Sequence, residues 1–187
     1  MTAGPPREGG LDGPVESEQV FDGKIVRLRV SRYRRPSGLV VRREVMDHDG
    51  AVVMVPVEDE HVLMVRQPRE AVERYLLELP AGKLDVPGED PLDCARRELA
   101  EEVGRAADTW RPLGGFFTAP ALLTEYIHCY MATDLRRIDH PPLPEEEIEV
   151  MPWPLADLDA LIERVEDAKT LIGLLRLARE RDAARRP

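Results

Sequence analysis

Residues 82–104, GKLDVPGEDPLDCARRELAEEVG, constrain this chain more than any other stretch, because both ends of a helix and its charged face can be read in them. Asp90 is a good N-cap, Pro91 suits the first helical position where its missing N–H costs nothing, and Asp93 adds favourable negative charge to the first turn. Gly104 supplies a left-handed stop at the other end. Between them Leu92, Ala95, Leu99 and Val103 recur at helical spacing, so one stripe faces a core. The opposite side is acidic: Glu98, Glu101 and Glu102 sit at separations that stack their carboxylates on one face. Like charges so placed cost about a few tenths of a kcal/mol each, and Arg97, one turn before Glu101, relieves part of that. A hard divalent cation would relieve the rest, since Mg2+ and Mn2+ prefer carboxylate and carbonyl oxygens.

A solvated face laced with salt bridges is the ordinary reading of such a charge run. The flanking sequence argues for more. The apolar run 76–80 predicts a strand, and Ala81-Gly82 and Pro87-Gly88 are turn signals that fold a loop against the helix start. Gly82 stands where backbone can approach a ligand or metal closely. Gly82, Glu89, Arg97, Glu98, Leu99, Glu101, Glu102 and Gly104 together resemble the signature of the Nudix hydrolases, enzymes that cleave nucleoside diphosphates linked to another moiety. Two positions depart from it. The loop from Gly82 to Glu89 is longer by one residue, assigned to Val86 and expected to bulge the loop, and Arg105 replaces a usual aliphatic, expected to leave that position exposed.

The resemblance extends over about residues 20–177 and points to the ADP-ribose pyrophosphatase subfamily. Pro120 follows Gly104 by 16 residues, and Phe117-Thr118-Ala119-Pro120 with Thr124-Glu125 is similar to that subfamily's loop, with Ala121 in place of a glycine. Arg66-Gln67-Pro68-Arg69 and residues 76–82 resemble its substrate-side strand and turn, with Pro68 in place of an aromatic. What this implies is an α+β fold, a mixed β-sheet flanked by helices (the α/β/α sandwich of the Nudix fold) with an N-terminal β-hairpin extension. The implied reaction is hydrolysis of the diphosphate of ADP-ribose, or of a related nucleoside diphosphate sugar, to AMP and ribose 5-phosphate, with Mg2+ or its substitute Mn2+. The expected organisation is a mobile tail over residues 1–18, a hairpin and dimerisation region over 19–46 that forms a homodimer, and the Nudix domain over 47–187.

Within that reaction Glu98 and Glu102, one turn apart on the same face, are the first choices as metal ligands, with Glu101 as ligand or as partner to one, and the resemblance adds the Ala81 carbonyl. Arg97 orients Glu101, and Glu89 ties the loop to the helix. For the base that deprotonates the attacking water, residues 144–150 resemble the subfamily's acidic loop and put Glu146 and Glu145 at its acidic positions; Glu125 is the alternative. Arg69, a strand-end arginine, can grip a phosphate bidentately, its rival role being an ion pair with Glu73 or Glu78. Glu78, Gly82 and Pro120 fall on the substrate side by the same resemblance.

Composition narrows the class. With 187 residues, 43% of them hydrophobic, the chain can bury one sizeable core. A net charge of −10 argues against nucleic acid as a partner. No apolar run reaches membrane-spanning length and the start lacks a leader pattern, so the expected location is the cytoplasm. Cys94 and Cys129 read as buried small hydrophobes, Trp153 as a packing residue, and His48, His61, His128 and His140 have no zinc-like spacing. Strands are expected at 25–28, 39–41, 51–57, 61–65, 126–132 and 148–150, and helices at 155–165 and 169–181, the second amphipathic through Leu171, Leu174, Leu175 and Ala178. Alternative functions are a noncatalytic Nudix-like nucleotide sensor, or a diphosphatase for NADH or a dinucleoside polyphosphate. The intact glutamates favour catalysis, since a sensor needs no cluster of strained carboxylates.

Overall fold

A computed structural model describes residues 12–139 and 147–185, and these fall into two units. The first comprises residues up to Gly50 together with Phe117–Tyr126. Its strands β1 (Glu16–Asp22), β2 (Arg27–Arg34) and β3 (Val40–Asp47) pair antiparallel in that order. The β2 to β3 connection is the expected turn, closed by Gly38 N–H donating to the Arg35 carbonyl at 2.8 Å with Gly38 at φ +84°. The hairpin expected from the sequence is thus a three-stranded sheet, and the strand added by β1 starts at Glu16, inside the segment read as a tail. Every residue of β1 is exposed, so it carries no alternation to read; its conformation is set by pairing to β2.

The second unit takes up Ala51–Phe116 and Ile127 onward. Its elements are β4 (Ala51–Glu58), β5 (His61–Arg69), β6 (Arg74–Glu78), β7 (Ala81–Lys83), α1 (Pro91–Val103), β8 (Arg105–Phe117), β9 (Tyr126–Arg137), β10 (Glu149–Pro154), α2 (Leu158–Arg164) and α3 (Ala168–Arg185). The sheet runs β10-β5-β4-β9-β8, with β6 on β5 and β7 on β4. It is mixed, since β4 and β9 are parallel while β4 is antiparallel to β5 and β7. Strand β4 is apolar on both faces and so serves two cores. Val53 and Val55 join Met64, Leu79, Leu161, Leu174 and Leu177 beneath α2 and α3. Val52 and Met54 join Leu63, Val65, Cys94, Ala95, Leu99 and Val103 beneath α1. Full burial of a leucine such as Leu99 contributes about 1.5–3 kcal/mol, so this stripe is what seats α1 on the sheet. The layered α+β architecture expected from the sequence is the one found.

Two local expectations fail. Strand β8 went unread, because Asp108, Pro112, Gly114 and Gly115 interrupt any alternation. On α3, Leu175 is exposed; the buried stripe runs through Thr170, Gly173, Leu174 and Leu177, and a Cβ on Gly173 would collide with Leu79 Cδ1. That close approach brings the start of α3 against the end of β6.

Candidate active site

The helix ends form as their residues dictate. Asp90 Oδ1 accepts the Leu92 N–H at 2.9 Å, Pro91 opens the helix, and Gly104 closes it at φ +63°. The extra loop residue is absorbed in a turn: Glu89 N–H donates to the Val86 carbonyl at 3.1 Å across Pro87 and Gly88, the glycine at φ +81°. Val86 is exposed there.

Arg97 is the hub of the acidic face. Its Nε and Nη2 clasp both oxygens of Glu89 at 3.0 Å, and its Nη1 donates to Glu98 Oε1 at 2.7 Å and Glu101 Oε2 at 3.1 Å. The arginine therefore does more than orient Glu101: it ties the loop to the helix through Glu89 and neutralises the face that carries the like charges. The Arg97 hydrogen bonds hold the Glu89 carboxyl below its usual range, and Arg97 is in turn held more firmly protonated, first by Glu89 and then by Glu98.

Strand β7 meets this face edge-on. Glu102 Oε2 accepts the Ala81 N–H at 3.0 Å, and the Glu98 side chain lies over Gly82, where a Cβ would overlap Glu98 Cγ, Cδ and Oε1. Ala81, Gly82, Arg97, Glu98, Glu101 and Glu102 are thus gathered at one place. Among the described residues no three His, Cys, Asp or Glu side chains are grouped as ligands of one cation; Arg97 bonds Glu98 and Glu101, and Glu102 accepts the Ala81 N–H. The donor set itself, half-buried carboxylates beside a peptide backbone cleared by Gly82, is all oxygen and suits a hard divalent ion.

Arg69 and Glu78 meet each other. Arg69 Nε and Nη2 reach the two Glu78 oxygens at 2.7 and 2.6 Å, so the rival ion pair is the one formed, with Glu78 and not Glu73. Glu78 is 1% exposed, and Lys169 Nζ adds a contact to its Oε2 at 2.5 Å. Burial alone pushes this carboxyl up; Arg69 and Lys169 more than reverse that and hold it below the usual carboxylate range. Lys169 also meets Asp167 Oδ2 at 2.9 Å, and Asp167 caps Thr170, whose Oγ1 accepts the Leu79 N–H at 2.8 Å. Lys169, Asp167 and Thr170 went unread as partners of the site. The Asp-x-x-Thr cap is a local signal, but Lys169 and Glu78 are 91 residues apart.

Pro120 and Glu125 belong to the first unit. Glu125 Oε2 accepts the Thr118 hydroxyl at 2.6 Å, and Oε1 faces His48 Nε2 at 3.4 Å. His48 Nδ1 accepts the Gly50 N–H at 3.0 Å, which leaves the proton of a neutral ring on Nε2, toward Glu125. Pro120 lines a cavity of about 350 Å3 with Tyr33, Arg35, Arg43 and Val45. Glu145, Glu146 and His140 lie outside the described residues. Arg105 is not exposed as expected: it inserts a guanidinium onto Glu58 at 2.8 and 3.0 Å, with its side chain only 13% accessible. Both cysteines are free and buried, and burial pushes Cys94 up to about 12 and Cys129 up to about 11, so neither is a ready thiolate. Trp153 packs on the core beneath α2 and α3 and donates to the Asp157 carbonyl.

Comparison with known proteins agrees with this geometry. The NUDIX domain family model matches residues 47–174. The ADP-ribose pyrophosphatase of Mycobacterium tuberculosis is 43% identical over 155 residues, 81% of this chain and 75% of that protein. The ADP-ribose pyrophosphatase of Bacillus subtilis is 39% identical over 165 residues, 86% and 89% of the two chains. A crystal structure of an ADP compounds hydrolase superposes with a TM-score of 0.83 at 25% identity, covering 96% of this chain and 100% of that one. No described helix is long and apolar enough to cross a membrane. The loop, the capped helix and its glutamates are those of a Nudix domain, and the chain belongs to that family.

Proposed function

We propose that the protein is a Mg2+-dependent diphosphatase that hydrolyses ADP-ribose, or a related nucleoside diphosphate sugar, to AMP and ribose 5-phosphate. The observation that carries this reading is the approach of Glu102 to Ala81 and of Glu98 to Gly82, with Arg97 bridging Glu98 and Glu101, in a chain similar to two ADP-ribose pyrophosphatases. Glu98 and Glu102 would hold the cation, with Glu101 and the Ala81 carbonyl completing its surroundings. A bound divalent cation neutralises phosphate oxygens, lowers the pKa of its water and stabilises the leaving group. Arg97, anchored on Glu89, holds Glu98 and Glu101 on this face, and a cation bound there would draw their carboxylates away from the arginine. Arg69, held by Glu78, offers its remaining N–H groups to a substrate phosphate. Glu146 or Glu145 takes the proton from the attacking water, with Glu125 as the alternative base.

The test is a turnover screen over ADP-ribose, GDP-mannose, NADH and diadenosine polyphosphates, with Mg2+, with Mn2+ and with a chelator. ADP-ribose is expected to give the highest kcat/KM and the chelator to remove it. Tight binding of ADP-ribose with no turnover in either metal would favour a noncatalytic sensor instead.

The sheet of the first unit supports a homodimer formed through residues 19–46. Val20, Phe21 and Val40 on its strands and Ile25 and Leu39 in its connections are exposed apolar side chains that a second copy would cover. Sedimentation at micromolar concentration is expected to show a dimer. A fully active monomer there would remove the proposal.

A further inference from the structure

The charge network at the end of β6 extends past Arg69. Glu78 is one buried carboxylate shared by two cations, one on β5 and one in the first turn of α3. Arg69 spends Nε and one N–H of Nη2 on it, which keeps the Nη1 edge of a planar group whose side chain is 39% accessible. Lys169 Nζ, 2.5 Å from Glu78 Oε2, holds the carboxylate that Arg69 grips, so the orientation of Arg69 depends on both. Lys169 is itself fixed, because Asp167 holds its Nζ while capping Thr170, and Thr170 takes the Leu79 N–H. The cation is therefore held in register with the strand that leads to Ala81 and Gly82. Arg69 also lies within electrostatic reach of Glu102 on α1, so it stands near the acidic face.

From this geometry we infer that Lys169 is a positioning residue for phosphate recognition: through Glu78 it holds Arg69 in place toward the substrate. The inference rests on the function proposed above for the same site. It concerns binding of a phosphate group and not the chemical step, so its signature is a loss of affinity at nearly constant kcat.

The experiment compares wild type, Lys169→Gln and Lys169→Arg. Gln retains a hydrogen-bond donor near Glu78 without the charge, so the fold is expected to survive. Calorimetric titrations with AMP and with ribose 5-phosphate in Mg2+ are run beside steady-state kinetics on ADP-ribose and thermal melts. Lys169→Gln is expected to weaken one of the two phosphates about tenfold and to raise KM by about the same factor, the size of a lost charge-assisted contact, with kcat within about threefold. Lys169→Arg should recover most of both. Unchanged affinity in Lys169→Gln overturns the proposal. So does a parallel loss of kcat, affinity and melting temperature that Lys169→Arg does not recover, since that is a purely structural role. If wild type binds either product but cleaves no diphosphate, the function reading fails and the titrations still decide Lys169; if it binds neither, both are overturned.

Discussion

Glu98→Gln and Glu102→Gln are each expected to remove nearly all Mg2+-dependent turnover. Replacing groups that merely orient a metal ligand costs about 10- to 100-fold, so loss of a direct ligand should exceed about a hundredfold in kcat/KM. A stacked trio of glutamates by itself suggests that either change should also raise stability in metal-free buffer. The structure removes that expectation. Arg97 already bonds Glu98 and Glu101, and Glu102 accepts the Ala81 N–H, so each Gln exchanges relieved repulsion for a weakened contact. Melting temperatures in chelator are expected to stay within about 2–4 °C of wild type, the shift that about 1 kcal/mol produces in a chain of this size. Either variant turning over ADP-ribose at near wild-type rate in Mg2+ would overturn the ligand assignment.

The second large effect is expected in the acidic loop. If Glu146, or its neighbour Glu145, takes the proton from the attacking water, its replacement by Gln lowers kcat about a hundredfold to ten-thousandfold while KM and metal affinity change little, because that interaction is made chiefly in the transition state. Glu125→Gln is the matched control, and its surroundings sharpen it. Glu125 is already engaged by the Thr118 hydroxyl at 2.6 Å and by His48 at 3.4 Å, contacts that can order the loop around Pro120 without any catalytic role. The expected consequence of that variant is a modest change in KM. Should Glu125→Gln alone show the kcat signature while both loop variants stay active, the base belongs to the loop after Pro120 and its placement at Glu146 or Glu145 is wrong.

What could be read from the sequence was what local chemistry specifies. Helix α1 was legible to the residue because Asp90, Pro91 and Gly104 act within one turn of themselves, and Ala95, Leu99 and Val103 of its core stripe follow from spacing, while Cys94 and not Leu92 is the buried residue of the first turn. The Arg97 to Glu101 pair was legible for the same reason, while the clasp on Glu89 needed the loop's path. Strand β1 was not legible, since an all-exposed strand has no pattern and exists by pairing with β2. Nor was Arg105: a cation at an aliphatic position looks like an exposed site until Glu58, 47 residues earlier, is placed beside it. The same holds for Lys169, whose partner is fixed by the packing of α3 on Leu79 and by nothing nearby in the chain.

Gly82 has no side chain, yet it decides where the Glu98 carboxylate can lie. Its backbone φ lies outside the left-handed region, so an alanine there would not strain the chain, and the atoms it would strike are the end of the Glu98 side chain, which can turn aside. The fold would absorb the change; the carboxylate would be evicted from its seat. Damage at this position is expected to fall on Glu98 and its bond to Arg97 before it reaches the fold, so a loss of activity traced to it would be an injury to Glu98 inflicted from the facing strand.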